Sequence, residues 1–221
     1  MKYQLLKNDY KTFPHPTKNG KMVRVFRVFY LRDVICGDYV IRGGQSGGFV
    51  ESESCLSQED NSIVANNAVI FENPIIENSV VKDDAKVWDS IFVKNSTISG
   101  HSRLWGMGTV VDSRISDAAF VHLQNAGSIT ETDIANSVRV KGYVQISKSK
   151  LSNGAGVRDN AIVETCVLSD VSEVSGNSIV KNCRFSGRYV CKNENIENAT
   201  LSREIELNVT QGPGDPGYKK W

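Results

Sequence analysis

The sequence predicts an all-β fold: a single-stranded, triangular, parallel β-helix of about eight coils of 17 residues, behind a β-rich amino-terminal cap. Three observations carry this prediction. Aliphatic residues recur as Val64, Ile70, Ile76, then Val81, Val87, Val93, then Ile98, Leu104, Val110, in steps of six, six and five. Two residues after the first anchor of each coil stand Asn66, Asp83, Gly100, Asp117, Asn136, Asn153, Asp170 and Gly187, all types that tolerate a left-handed turn conformation. Helix formers are sparse while Val, Ile, Ser, Asn and Gly abound, and no heptad or 3.6-residue period yields this spacing.

Residues 1–46 read as the cap. YQLL, MVRVFRVFYL and DYVIR are strand-like, Asn19-Gly20 suits a hairpin turn, and His15 sits in a Pro-flanked loop. A solenoid needs such a cover, because a bare first coil would expose apolar core and unpaired strand edges. The glycines between Gly43 and Gly48 lack the Lys-Ser/Thr of a phosphate loop and open no helix, so they read as a tight turn into the first coil.

Residues 47–200 read as the β-helix. The ladder continues through Ile115, Val121, Ile129 and onward to Phe185, Cys191, Ile196, broken only by two extra residues in HLQNAGS. Mostly small residues, Ala68, Ala85, Ser102, Ala119 and Ala155 among them, with Val138 and Tyr189 as the larger ones, fall four after the first anchors and suit a crowded inner edge. Ser79, Ser96, Ser113, Thr132, Ser149, Cys166 and Cys183 form a further column, in which the two cysteines stack as parallel thiols rather than as a bridge. Stacking by parallel strand pairing would give a rod about 38 Å long. Residues 201–221 read as one more strand and a Gly/Pro-rich tail.

Composition narrows the function classes. The 26 basic and 25 acidic residues nearly cancel, so no global field argues for nucleic acid or membrane, although a local patch is still open. Neither a signal-peptide core nor an eighteen-residue apolar run is present, and the five cysteines show no C-x-x-C pair. The expectation is a soluble, cytoplasmic protein with reduced thiols, no membrane association and no metal site.

The six-residue rhythm resembles the hexapeptide-repeat, left-handed β-helix proteins. Gly44-Gln45-Ser46-Gly47-Gly48-Phe49-Val50, followed by Leu56-Ser57-Gln58, is similar to the opening of the YdcK-type acyltransferase-like group, which has bacterial and phage members. The resemblance spans roughly residues 2 to 200 and implies left-handed winding, whereas ordinary strand crossovers favour the right hand. It also implies a trimer for many relatives, and for some an acyl-CoA-dependent transferase with a histidine base near the subunit interface.

Candidate site residues follow from strand alternation, since the residues flanking an inward aliphatic point outward. The first face reads as small, polar and solvated. On the second face the outward set contains Phe71, Lys86, Trp88, Arg103, Trp105, Phe120, His122, Arg139, Lys141 and Arg158. Such a set either packs against another subunit, the cap or the tail, or forms a recognition strip for a protein partner, because Trp and Arg dominate interface hot spots. Single-stranded nucleic acid, stacked on the aromatics, is a lesser alternative. The third face offers Ile75, Phe92, Val111, Ile162 and Ile179, which suit an oligomer interface or a bed for the tail.

Of the histidines, only His122 begins the irregular coil, and it is the sole candidate base should the chain be an acyltransferase taking acetyl-CoA. The plainer reading is a surface histidine beside a turn insertion. Acidic residues such as Asp83, Asp112 and Asp159 fall at turns and serve the backbone rather than a catalytic pair or a metal. The sequence therefore predicts a non-catalytic binding or assembly protein without a cofactor, a homo-oligomer with a trimer favoured, and a host-directed phage inhibitor as one version of that role.

Overall fold

A computed structural model describes residues 1–203. Among them there is no α-helix, and parallel sheets stack as a β-solenoid of about nine turns spaced about 17 residues apart. The ninth turn comes from Thr200–Arg203, which pairs with Arg184–Gly187 and places Leu201 beside Phe185. Beyond Arg203 the expected tail lies outside the described residues.

The cap is built from β1 (Tyr3–Pro14), β2 (Met22–Tyr30), β3 (Val34–Cys36), β4 (Tyr39–Ile41) and β5 (Ser46–Val50). β1 is far longer than the YQLL expected of it. It runs antiparallel to β2 from Tyr3↔Tyr30 to Pro14↔Met22, with a register shift between Leu6 and Tyr10. β2 pairs with β5, and β5 pairs in parallel with Val69–Phe71, so the cap's sheet continues directly into the second face of the solenoid. β3 and β4 form a separate two-stranded hairpin.

The inward aliphatics stack in register: Ile70, Val87, Leu104, Val121, Val140 and Val157 lie on successive turns, each at most 1% exposed. Each contributes about 1.5–3 kcal/mol of hydrophobic burial. The corner column is as the composition implied, with φ of 58° at Asn66, 63° at Asp83, 67° at Gly100, 59° at Asp117 and 56° at Asn136.

The Ser/Thr column is a hydrogen-bonded ladder. Ser96 Oγ donates to Lys94 O at 2.7 Å and accepts from the Ser113 N–H at 3.0 Å, and Ser113 Oγ repeats both bonds one turn on. The corner amides that no backbone carbonyl reaches are satisfied this way, while carbonyls such as Lys94 O also accept a backbone N–H from the next turn, here Asp112 at 3.1 Å.

Tyr30 closes the bore: its hydroxyl donates to Val64 O at 3.2 Å and accepts from Val64 N–H at 2.9 Å. Close approach explains the glycines here, since a Cβ on Gly47 or Gly48 would fall 2.5 Å from Val64 O or 2.6 Å from Ala68 O. All five cysteines are buried and unbridged.

Candidate functional site

Register resolves the second face into two outward columns. One runs Val69, Lys86, Arg103, Phe120, Arg139, Gly156, Glu173; the other runs Phe71, Trp88, Trp105, His122, Lys141, Arg158. The continuous aromatic column is therefore Phe71, Trp88, Trp105 and His122. Phe120, expected as its fourth member, stands in the neighbouring column and meets Trp105 edge-on at 4.6 Å.

The four rings stack face to face. Phe71 and Trp88 are 5.6 Å apart at 6°, Trp88 and Trp105 4.8 Å at 5°, Trp105 and His122 4.7 Å at 9°. Parallel pairing fixes this, because identical positions on adjacent turns lie about one strand spacing apart. Each such contact adds about 0.5–1.5 kcal/mol beyond simple burial.

The β1–β2 hairpin lies over the first half of this column. Phe13, Val23 and Val25 pack on Phe49, Val69, Phe71 and Trp88, reaching the edge of Trp105. Phe13 meets Phe71 at 79°, and Lys86 Nζ lies 5.1 Å from the Phe13 ring. Phe71, Trp88 and Trp105 are 0%, 1% and 7% exposed, so none is available to a partner, and Lys86 serves the hairpin contact; these four leave the expected strip. Burial pushes the Lys86 ammonium below its usual range, with Arg103 and Lys11 adding repulsion. The Trp88 Nε1–H is buried with no acceptor among the described residues.

An ionic latch holds the hairpin tip down. His15 Nδ1 accepts from the backbone N–H groups of Thr17 and Lys18, at 3.1 and 3.0 Å, which leaves Nε2 to face Glu72 Oε2 at 2.8 Å. Lys18 and Lys21 reach Glu72 Oε1 at 2.7 and 2.5 Å. Burial alone would raise the Glu72 carboxyl, but these donors outweigh it and hold the group well below the carboxylate range. Neighbouring Asp89 is pushed up by burial and by Glu72.

Past the hairpin the face is open apart from Trp105, which lies buried between Trp88, Phe120 and His122. Arg103/Trp105, Phe120/His122 and Arg139/Lys141 occupy three successive rungs, followed by Gly156/Arg158. Phe120 is 40% exposed, and Arg103, Arg139, Lys141 and Arg158 are all exposed. Arg158 pairs with Glu173, whereas Arg103, Arg139 and Lys141 have no ion pair among the described residues.

Beside His122 the extra residues of the irregular coil form a bulge, with Asn125 and Ala126 at positive φ. It borders a cleft of about 440 Å³ lined by Asp89, Met107, His122, Gln124, Asn125 and Tyr143, among others. Burial, then Lys141, lowers the His122 pKa, so its imidazole is neutral at pH 7. No hydrogen bond fixes its tautomer among the described residues. Nothing in the repeat pattern singles out Met107 or Tyr143, because only the bulge brings them to the cleft's rim.

On the third face Ile75, Phe92, Ile162 and Ile179 share one outward column, but Thr109, Ser128 and Gln145 divide them into two pairs. Val111 belongs to the other column. Among the described residues no cluster of three or more metal-ligating side chains occurs, and no helix is long and apolar enough to cross a membrane. No family model matches the chain, and no curated protein matches it.

Proposed function

We propose that this chain is a non-catalytic binding or assembly protein that recognises a protein partner through the open part of its second face: Arg103, Phe120, His122, Arg139, Lys141 and Arg158. The observation that supports this reading is the run of three rungs where exposed Phe120 stands between Arg103 and Arg139, neither of which has an ion pair among the described residues. A half-exposed aromatic framed by guanidinium groups has the make-up of an interface hot spot. The aromatic stack offers little to nucleic-acid bases, since Trp105 already carries a ring on each side.

Affinity capture from the native cells tests it. A Phe120→Ser/Arg139→Glu double variant, melting as the parent does, is expected to lose the captured protein; equal recovery on both would sink the reading.

The cleft beside neutral His122 favours a second reading, an acyl-CoA-dependent transferase of the hexapeptide-repeat class, with His122 as base. Acetyl-CoA should leave the melting temperature unmoved if the chain only binds; a stabilisation abolished by His122→Ala would favour the transferase. Membership among left-handed hexapeptide-repeat proteins belongs to the same proposal and rests on the 6-6-5 rhythm. So does a cytoplasmic setting, supported by five unbridged thiols. A trimer through the third face is the remaining part, to be read by light scattering of the parent and of Ile162→Glu.

A further inference from the structure

We infer that the partner segment seated on this face is an extended acidic strand, its alternate carboxylates on Arg139 and Lys141 and its backbone passing over Gly156. The inference rests on the binding reading above and adds the chemistry of what is bound.

Three observations carry it. The outward positions of the four rungs from Arg103 to Arg158 hold four cations and no carboxylate, and the next rung brings Glu173, which is engaged by Arg158. Field complementarity therefore asks for negative charge on the partner. Second, Arg139 and Lys141 lie two apart on one strand, so their stems emerge about 6.6–6.8 Å apart, the same interval that separates alternate side chains of an extended ligand. An acidic strand running alongside meets them in register.

Third, Gly156 is not demanded by the fold. A Cβ there would meet Glu173 Cγ at 3.6 Å and Arg139 O at 3.9 Å, which are ordinary contacts. Gly156 heads the strand Gly156–Asp159 with no positive φ to account for it, and a glycine on a sheet surface leaves room for close approach of another backbone. Its column neighbours Arg139 and Glu173 both carry long side chains, so Gly156 leaves a notch one side chain deep between them.

A nucleic-acid strand fits less well. Trp88, Trp105 and His122 spend their faces on one another, and Phe120 turns its ring edge-on to Trp105, so no ladder of free aromatic faces remains for bases.

Fluorescence anisotropy at low salt with the full chain tests this. The probes are a labelled peptide of alternating Glu and Thr, a peptide of the same composition with its glutamates in one block, a Gln-Thr analogue, and a labelled oligothymidylate. The alternating acidic peptide is expected to bind best, and Arg139→Glu/Lys141→Glu to weaken it by about tenfold or more. Gly156→Val, which suits a strand, should weaken it comparably at unchanged melting temperature. Should that variant fold poorly, the charge reversal and the peptide series still decide.

Equal binding of the block peptide, indifference to charge reversal, or preference for oligothymidylate each overturns the inference. A cellular protein lost on Phe120→Ser/Arg139→Glu but not displaced by the alternating peptide leaves the binding reading intact and removes this one.

Discussion

The aromatic column of the second face has two halves built on the same geometry and put to opposite use. Phe71 and Trp88 lie under the β1–β2 hairpin, while His122, two rungs beyond Trp88, and Phe120 in the column beside it lie past its edge. Along the column from Phe71 to His122, pairing, spacing and stacking angles barely differ, whereas Phe120 turns edge-on to Trp105. What differs is the cover, so the fold accounts for stacked rings anywhere along the column, but only the uncovered half needs a reason outside the molecule.

Truncation should separate the halves most clearly. Trp88→Ala removes a ring packed between two others and beneath the hairpin and should cost about 3–5 kcal/mol in urea denaturation. Phe120→Ser should stay within about 1 kcal/mol of the parent. Comparable losses from both would erase the distinction between covered and open surface.

The latch comes next in size. His15→Ala or Glu72→Gln leaves buried partners unpaired and should cost about 1–3 kcal/mol, with acrylamide gaining access to tryptophan fluorescence. Because the folded Glu72 carboxyl sits below its ordinary value of about 4.3, its contribution is complete above that pH and is lost as pH falls through the depressed folded value. The hairpin should therefore loosen in acid, below about pH 4, and Glu72→Gln should flatten that dependence. A hairpin equally tight at all pH values would refute the latch.

The smallest effect belongs to His122. Trp105 backs one side of its ring, Lys141 stands on the next rung, and Asp89 and Tyr143 share its cleft. Its folded pKa is depressed, so the unfolded chain takes up the proton first, and stability should dip slightly as pH falls from about 6.5 through the folded value. His122→Gln should remove the dip, read in melting curves against pH.

Much of the fold was legible because the solenoid writes one residue type into one spatial column. Inward aliphatics, the Asn66-to-Gly187 corner and the Ser79-to-Cys183 ladder are each set by a local need repeated every turn. Covering contacts follow no such period. Nothing in MVRVFRVFYL says that Val23 and Val25 lie on Trp88, because the hairpin's path depends on the register of β2 with β5 and on a bulge between Leu6 and Tyr10. Strand alternation alone groups Phe120 with the tryptophans for a related reason: flanks before and after an inward residue both point out, and only register tells the two columns apart. The same pooling joined Val111 to Ile75 and Phe92.

The hydroxyl ladder has a direction. It runs from Ser62 through Ser149, whose Oγ accepts the Cys166 N–H at 3.0 Å, and there sulfur takes over from oxygen. A thiol is the poorer donor and acceptor, so the teeth of this zipper are weakest at the end farther from the plugged bore. A rod whose turns touch only their neighbours then melts sequentially, opening from the Cys183 side towards Tyr30, and amide protons should exchange in that order.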